Sequence, residues 1–317
     1  MTTLFIDGQE GTTGLQIHER IHQRPDITLI EIPSDKRKDP ETKKKFLNEA
    51  DFVILCLPDD AARESVAMIS NPHTRVIDAS TAHRTADDWI YGLPELTKTQ
   101  RSAIRNAKRV SNPGCYATGF ALLVRPLVEN GIIPSDFPLF CSAVSGYSGA
   151  GKKMIAAYET TDPSQSAARL GSRNYALGLN HKHLPEMMKR SGLSKLPIFL
   201  PVVCDYYKGM NVTIPLHIEQ LPKKTSPAEL HTLFSRYYSG EPFVPVMPLD
   251  MNVSLDNGFL NPVNCNDTNR CEVFIFGNDR QIVIAARLDN LGKGASGAAV
   301  QNLNIMMNID EKTGLTA

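Results

Sequence analysis

The sequence has no long hydrophobic run. A helix that crosses a membrane needs about 18 consecutive apolar residues, and no such stretch occurs. The first residues also lack a basic segment followed by an apolar one, so the sequence predicts no secretory signal. We therefore expect a cytoplasmic protein with no membrane partner.

An excess of charge of one sign is missing as well. The chain has 34 Lys and Arg residues against 34 Asp and Glu residues. Proteins that bind nucleic acid draw much of their affinity from a basic surface that releases counterions from phosphates. The balanced charge therefore argues against a nucleic-acid partner.

Cysteine is scarce, and no two cysteines form the Cys-x-x-Cys pair that is typical of zinc sites. A chain of 317 residues needs no disulfides for stability, so reduced thiols in a cytosol are expected. We expect no metal site. The six cysteines are Cys56, Cys115, Cys141, Cys204, Cys265 and Cys271.

The length of the chain favours two domains, at about 150 residues each. In the first third, strand-like apolar segments alternate with segments of helical periodicity. Such alternation predicts an α/β fold with a doubly wound parallel sheet and helices on both faces. The strand-like segments are 4–7, 27–32, 52–57 and 76–77, and the helical ones are 13–23 and 43–50.

The middle of the chain has strand-like segments that are separated by longer irregular pieces. This pattern predicts a central α+β domain with an antiparallel or mixed sheet. A last helix over 294–308 is expected to pack back on the first domain. The predicted domains are therefore 1–113 with 289–317, and 114–288. The central strands are expected at 139–144, 198–203, 211–219, 272–276 and 281–287.

Three glycines, Gly8, Gly11 and Gly14, follow the first strand and open the first helix. Glycine lets the backbone approach a pyrophosphate, whose charge the helix N-terminus favours. The spacing is GxxGxxG and not the commoner GxGxxG, so a simple strand-to-helix turn stays an alternative. With Thr12 and Thr13, these glycines are the candidate cofactor-binding turn.

A basic segment follows the second strand, where NAD enzymes usually place an acidic residue against the ribose. Ser34, Lys36 and Arg37 suit the 2′-phosphate of NADP, although Asp35 lies among them. A solvated basic loop is the alternative interpretation.

Cys115 lies directly after a Pro-Gly dipeptide and before an apolar helix predicted over 120–128. At a helix N-terminus, backbone amides and the helix dipole stabilise a thiolate. Cys115 is therefore the candidate nucleophile, with a small buried hydrophobic residue as the alternative. The other five cysteines are interpreted as structural.

Several segments together resemble one enzyme family. The segment 112–118, Asn-Pro-Gly-Cys-Tyr-Ala-Thr, resembles the signature of N-acetyl-gamma-glutamyl-phosphate reductases and, less closely, that of aspartate-semialdehyde dehydrogenases. The resemblance extends from residue 8 to 301 and is to the shorter form of the family. One segment departs from the family pattern: 78–84 contains His83 where many members have a Ser-Ala-Asp-Phe-Arg run. The further matching segments, in family order, are 91–96, 145–151, 181–186 and 289–297.

The resemblance implies an NADPH-dependent reduction of N-acetyl-L-glutamyl 5-phosphate through a thioester on Cys115, in arginine biosynthesis. It implies a Rossmann-type cofactor domain, and a proton-transfer base that is either His181 or His183, with His183 slightly favoured. Asn112 and the helix amides are candidates for stabilising the oxyanion, although Asn112 could instead cap the helix. The His-x-His pair has no convincing third metal ligand nearby.

Other residues are candidates for binding the substrate and the cofactor. Arg84 and Arg173 could bind the phosphate and carboxylate of the substrate, or could be surface ion pairs. The hydroxyl-rich run 145–151 suits an anion site or the nicotinamide edge, or is a surface loop. The predicted substrate-binding residues are Arg84, Ser145, Arg173 and Tyr175, and the further cofactor-binding residues are Ser148, Gly149 and Asn290.

Other functions stay open. Within the same chemistry, the alternatives are aspartate-semialdehyde dehydrogenase and aminoadipyl-phosphate reductase. Outside it, a non-catalytic NADP sensor would bind the cofactor and leave Cys115 unreactive. The resemblance also implies a homodimer or homotetramer.

Overall fold

The computed structural model describes residues 1–9, 11–22, 24–37, 39–160, 162, 164, 166 and 171–317, without the side chain of Thr12. These residues form two compact units. The first unit is Met1–Gly114 with Ala295–Leu315, and the second is Cys115–Gly294 with Thr316–Ala317. Compact units are not the same as functional domains, and the predicted domain boundaries stay a prediction.

The first unit contains a six-stranded sheet in which every neighbouring pair of strands is parallel. The strands lie in the order β2-β1-β3-β4-β6-β5. They are β1 (Thr2–Asp7), β2 (Ile27–Ile30), β3 (Phe52–Leu55), β4 (Arg75–Asp78), β5 (Ile90–Tyr91) and β6 (Arg109–Ser111). The helices are α1 (Thr12–His22), α2 (Pro40–Glu49), α3 (Asp59–Met68) and α4 (Gln100–Asn106).

Burial on both faces of the sheet explains the apolar runs in its first strands. Leu4 and Ile6 of β1 lie in one hydrophobic cluster, and Phe5 lies in another on the opposite face. A parallel sheet with helices on both faces buries both sides of each strand. The chain runs from β1 to β2 and then returns across β1 to β3, so the direction of winding switches between β1 and β3. The predicted doubly wound fold is confirmed.

The second unit contains a mixed six-stranded sheet in the order β11-β12-β10-β7-β9-β8. Only the β7–β9 pair is parallel among its described strands. The strands are β7 (Phe140–Gly146), β8 (Arg173–Asn174), β9 (Ile198–Cys204), β10 (Met210–His217), β11 (Cys271–Gly277) and β12 (Gln281–Leu288). The helices are α5 (Cys115–Glu129), α6 (Lys152–Glu159), α7 (Leu184–Ser191), α8 (Pro227–Tyr237) and α9 (Met251–Ser254).

Two predicted helices have different bounds in the structure. The helix predicted over 120–128 begins at Cys115, because the small and aromatic residues before Phe120 are also buried. The helix predicted over 294–308 is a π-helical turn, Gly292–Ser296, followed by α10 (Gly297–Met306) in the first unit. The predicted end of the first helix, Gln23, lies outside the described residues. No described helix has the length and apolar character to cross a membrane.

Candidate active site

Cys115 is the first residue of α5, a helix that is buried on almost every side. A glycine fixes this helix close to the sheet: a Cβ at Gly119 would lie 2.9 Å from Cγ2 of Val212 and 3.4 Å from Cβ of Ala286. The close approach leaves α5 little freedom to shift. The N-terminus of α5 therefore places the sulfur at a defined point, in the first turn of the helix.

Gly294 lies against Cys115. A Cβ on Gly294 would be 2.7 Å from Cβ and 3.1 Å from Cα of Cys115, so no larger residue fits there without a shift. The N–H of Gly294 donates to the carbonyl of Asp289 at 3.0 Å, which holds the π-helical turn in place. Sequence reasoning missed this role, for which the only signal is the pair of glycines around Lys293.

The two histidines meet through a turn. Their spacing predicts a common direction only for an extended segment, but His183 has φ −84° and ψ −10° and directly precedes α7. The N–H of Leu184 donates to the carbonyl of His181 at 3.0 Å, which closes the turn. The two imidazole centres are 4.8 Å apart, at an angle of 87°. The two rings thus meet although the segment that carries them is a turn and not an extended strand.

Tyr116 contacts both histidine rings, with centre-to-centre distances of 5.6 Å to His181 and 5.9 Å to His183. Its hydroxyl accepts a hydrogen bond of 3.0 Å from the hydroxyl of Tyr175. Ser145, which is buried on β7, is a second hydrogen-bonding partner of this hydroxyl. Besides the two histidines, the cluster therefore includes two further predicted residues, Tyr175 and Ser145, and one residue that the sequence does not predict for the site, Tyr116.

Burial dominates the electrostatics of this cluster. It lowers the pKa of His181 to about 4, and the charge of Lys182 adds to the effect. Burial also raises the pKa of Tyr175 to about 12 and raises that of Tyr116. A negative charge on Cys115 contributes to both tyrosine shifts, which places the sulfur near the two hydroxyls.

Arg173 contacts a different tyrosine, Tyr158 of α6. Its guanidinium donates to the hydroxyl of Tyr158 at 3.2 Å and lies over the ring of that residue, 5.7 Å from its centre. Among its described contacts, none is with Cys115 or the histidines. The predicted substrate arginine of the second unit therefore packs on α6.

The three residues of the second unit that are predicted to bind the cofactor, Ser148, Gly149 and Asn290, form one cluster. Nδ2 of Asn290 donates to the hydroxyl of Ser148 at 3.0 Å, and Oδ1 of Asn290 accepts from the N–H of Gly209 at 2.8 Å. A Cβ on Gly149 would lie 3.3 Å from Nδ2 of Asn290. Asn290 thus fixes the run that follows β7.

In the first unit, both polar atoms of the Asn112 side chain form hydrogen bonds. Its Nδ2 donates to the carbonyl of Ala295 at 2.9 Å, and its Oδ1 accepts from Nδ2 of Asn302 at 3.0 Å. Nε of Arg84 donates to the carbonyl of Asn112 at 3.0 Å. Sequence reasoning missed Asn302, because nothing local to α10 marks it. This arrangement favours a structural role for the Asn112 amide.

The glycine turn after β1 brings backbone segments into close contact. Gly8 has φ +87°, and a Cβ there would lie 2.5 Å from the carbonyl oxygen of Cys56. A Cβ on Gly14 would lie 2.5 Å from the carbonyl oxygen of Gly8, whereas one on Gly11 would meet nothing closer than 3.4 Å. The turn therefore leaves space at Gly11, at the point where the winding of the sheet switches. It also includes the backbones of Thr12 and Thr13, which begin α1; the side chain of Thr12 lies outside the described residues.

The basic segment after β2 forms one 3-10 turn, Ser34–Lys36. Ser34, Lys36 and Arg37 are exposed, as is Asp35.

Comparisons with known proteins agree along nearly the whole chain. A family model described as the semialdehyde dehydrogenase NAD binding domain matches residues 5–107, and one described as the semialdehyde dehydrogenase dimerisation domain matches residues 115–290. An N-acetyl-gamma-glutamyl-phosphate reductase of Nostoc sp. is 49% identical over 320 residues, with 98% of each chain covered. One of Pseudomonas putida is 46% identical over 306 residues, with 96% of each covered.

The chain belongs to the N-acetyl-gamma-glutamyl-phosphate reductase family. This confirms the resemblance in the sequence. The family's semialdehyde dehydrogenase domains imply a nicotinamide cofactor, a small-molecule substrate and an oligomer. In fold, the chain is similar to the aspartate semialdehyde dehydrogenase of Francisella tularensis, with a TM-score of 0.73 at 15% identity, covering 97% of this chain and 100% of that one.

His83, the departure from the reductase family pattern, is paired and stacked. Its Nδ1 lies 2.6 Å from Oδ2 of Asp78, which is fully buried at the end of β4. Its ring stacks on Trp89, with centres 4.1 Å apart and planes at 14°. A histidine at this position therefore gives the buried carboxylate a hydrogen-bonding partner and also packs on an aromatic ring.

Two of the reductase's remaining cysteines are poor nucleophiles. Cys141 and Cys265 are fully buried, and burial raises the pKa of both thiols, that of Cys265 to about 12. Within the part of the chain that the structure describes, no group of three or more His, Cys, Asp or Glu side chains could hold a metal ion.

Proposed function

We propose that this chain reduces N-acetyl-L-glutamyl 5-phosphate to N-acetyl-L-glutamate 5-semialdehyde with NADPH, in arginine biosynthesis in the cytoplasm. The observation that carries the proposal is the position of Cys115, at the start of buried helix α5 and next to a tyrosine that contacts both histidine rings. The names of the relatives, which are 45–49% identical, supply the substrate.

Cys115 is the proposed nucleophile. Its thiolate attacks the acyl carbon, the bond from that carbon to the phosphate oxygen breaks, and phosphate leaves. The product is a thioester on Cys115. When bound, the nicotinamide dinucleotide supplies the hydride that reduces this acyl carbon. The resulting hemithioacetal loses its C–S bond, which releases the aldehyde and returns the thiolate.

His183 is the proposed group that takes and returns protons. His181 is less suited, because its low pKa leaves it neutral at physiological pH and its Nδ1 already accepts the N–H of His183. A neutral ring in this state donates from Nε2, so the proposed role of His181 is to donate a hydrogen bond to the reacting oxygen.

The oxyanion is proposed to lie at the N-terminus of α5. Helix N–H groups that have no intrahelical partner are suited donors to a developing negative charge. The sequence also predicts Asn112 as a donor to the oxyanion, but its Nδ2 and Oδ1 both form hydrogen bonds within the first unit. We therefore assign Asn112 to holding the chain that leads into Cys115.

The cofactor is proposed to be NADP. Gly8, Gly11, Thr12, Thr13 and Gly14 would hold the pyrophosphate, because the turn keeps the backbone free of side chains at the start of α1. The exposed segment with Ser34, Lys36 and Arg37 would bind the 2′-phosphate. The cluster Ser148, Gly149 and Asn290 is proposed for the nicotinamide edge.

For the substrate, we propose Ser145 and Tyr175 in the cluster around Cys115, with Arg84 and Arg173 as the cations for the phosphate and the carboxylate. Ser145 and Tyr175 share a hydrogen-bonding partner, Tyr116, whose backbone adjoins the nucleophile. Arg fits carboxylate and phosphate groups because its guanidinium can donate two parallel hydrogen bonds.

We further propose that the chain is a homodimer or homotetramer that associates through the sheet of the second unit. The sheet face opposite α5 forms an open cavity of about 340 Å³, lined by Ser142, Thr213 and Val283 among others. Next to it, Phe259 is 73% exposed. Large exposed apolar groups beside an open sheet face are typical of a surface that meets another chain. A Phe259→Asp variant is expected to have a lower mass by light scattering.

The test of the proposed reaction is the phosphate-dependent reduction of NADP by N-acetylglutamate semialdehyde. We expect turnover with wild type and phosphate, none without phosphate, and none in Cys115→Ser. Binding of NADP to Cys115→Ser, measured by calorimetry, should be retained and shows that the variant is folded.

Aspartate semialdehyde and NAD are the controls for substrate and cofactor. A preference for aspartate semialdehyde would assign the chain to the related dehydrogenase activity. NADP binding without turnover on either aldehyde would contradict the proposal and favour a sensor.

A further inference from the structure

Tyr116 has contacts that no other described aromatic residue has. Its ring packs against both histidine rings and against Phe199, 5.1 Å away between centres. Tyr175 and Phe199 each contact His181, but among the described ring contacts neither reaches His183. The ring of Tyr116 therefore touches both candidate proton-transfer groups.

The orientation of Tyr116 is fixed from two sides. Its backbone is the second residue of α5, directly after Cys115, and its side chain is only 4% exposed. At the far end of the ring, its hydroxyl accepts from Tyr175 and has Ser145 as a second partner. A ring held at both ends has little freedom to rotate, so the surfaces that it presents to the histidines are fixed.

Tyr116 is poorly suited to transfer a proton itself. Burial raises its pKa, and the charges of Tyr175 and Cys115 raise it further, so the phenol keeps its proton at neutral pH. Its contribution must then come from shape and from excluding water. A misplacement of about 1 Å in a catalytic group can lower a rate by about 100-fold, so orientation alone is a sufficient role.

We propose that Tyr116 is a positioning residue: its buried ring sets the orientation of His181 and His183 beside Cys115 and keeps water from both imidazoles. This inference rests on the proposed reaction for its catalytic consequence. Its structural part, the control of the two histidine rings, does not depend on any substrate.

Two substitutions separate the ring from the hydroxyl. Tyr116→Phe keeps the ring and removes the hydrogen bonds to Tyr175 and Ser145. Tyr116→Leu removes the ring. We expect kcat to fall by about 100-fold in Tyr116→Leu and by no more than about threefold in Tyr116→Phe, with KM for NADP unchanged in both.

The matched control is Tyr238, another buried tyrosine that packs on the nucleophile's helix. It is 4% exposed, and its hydroxyl donates to the carbonyl of Leu122 in α5 at 2.5 Å. Its described ring contacts are with Phe234 and Tyr237 and do not include the histidines. Tyr238→Leu should lower the melting temperature about as much as Tyr116→Leu does. Its kcat should stay near the wild-type value when the rate is divided by the amount of Cys115 thiol that iodoacetamide can alkylate.

A substrate-free readout is the titration of the histidines by NMR. In wild type and Tyr116→Phe, His181 should stay neutral down to about pH 4. In Tyr116→Leu, water reaches the ring, and the midpoint should rise by about one pH unit or more toward the value of an exposed histidine. This measurement stands even if wild type shows no turnover, so failure of the reaction and failure of this inference are distinguishable.

Three outcomes would overturn the inference. Unchanged histidine titrations in Tyr116→Leu would show that the ring does not shield the imidazoles. A loss of kcat in Tyr238→Leu as large as in Tyr116→Leu would reduce the effect to general loss of packing. A Tyr116→Phe variant as inactive as Tyr116→Leu would move the role from the ring to the hydroxyl.

Discussion

The backbone N–H of His183 donates a hydrogen bond of 3.1 Å to Nδ1 of His181. Because Nδ1 is the acceptor, the proton of the neutral His181 ring lies on Nε2. The burial that lowers the pKa of His181 to about 4 keeps the ring in this neutral form over the physiological range. His181 is therefore a neutral hydrogen-bond donor at Nε2.

The low pKa of His181 predicts how the stability of the folded protein changes with pH. In the unfolded chain, the ring takes up a proton as the pH falls below 6.5, whereas in the folded chain it does so only near 4. Between these values the unfolded state binds more protons, so stability falls as the pH falls. Between pH 7 and about pH 5, we expect the melting temperature of His181→Gln to fall less than that of wild type. His73→Gln, at an exposed position, is the control and should follow wild type.

The same hydrogen bond predicts unequal effects on turnover. Loss of a proton-transfer group lowers kcat by about 100-fold or more, so the kcat of His183→Gln should be lower than that of wild type by at least this factor. His181→Gln keeps a side-chain N–H donor and should lose about tenfold or less. Steady-state rates across pH 5 to about 9 test this assignment. A larger loss in His181→Gln would exchange the two roles.

The glycine turn predicts opposite behaviour for two alanine substitutions. Gly14 lies in the first turn of α1, where alanine would ordinarily favour the helix by about 1 kcal/mol. Its Cβ would instead meet backbone atoms at 2.5 and 2.8 Å, so Gly14→Ala should lower the melting temperature. Gly11→Ala has room within the protein and should fold normally, but should weaken NADP binding by about tenfold or more if the pyrophosphate occupies that room. Calorimetry and thermal melts measure both, and normal NADP binding by Gly11→Ala would place the pyrophosphate elsewhere.

The basic segment after β2 predicts the choice of cofactor. Replacing both Lys36 and Arg37 with alanine removes two exposed cations without touching the core. We expect KM for NADP to rise by about 10- to 100-fold and KM for NAD to stay the same, because only NADP carries the 2′-phosphate. The NADP effect should shrink as salt is added. An equal rise in both KM values would show that the segment does not read the 2′-phosphate.

The contact between Gly294 and Cys115 predicts a large effect from a single methyl group. Gly294→Ala would place its Cβ 2.7 Å from that of Cys115, so the π-helical turn or the nucleophile must move. We expect kcat to fall by about 100-fold and the alkylation rate of Cys115 to change, while NADP affinity stays near wild type. Unchanged alkylation and turnover would mean that the turn adjusts without moving the sulfur.

Much of the fold could be read from local patterns. The strands of the first unit contain short apolar runs because both faces of a parallel sheet are covered, as Leu4 and Phe5 of β1 show from opposite clusters. The glycine turn and the Pro-Gly step before Cys115 are also local signals. The predicted start of α5 is too late, because the polar and small residues after Cys115 obscure a helix that tertiary packing buries on almost every side.

The sequence by itself determined the α/β architecture, the family and the candidate nucleophile, since periodicity and short motifs are properties of neighbouring residues. The tertiary structure alone decided which residues hold that nucleophile and its histidines. Tyr116 meets Tyr175 across 59 positions, and Asn302 meets Asn112 across 190. No local pattern specifies such pairs, because contacts between residues so far apart depend on how the helices and sheets pack, and only the folded chain brings them within hydrogen-bonding distance.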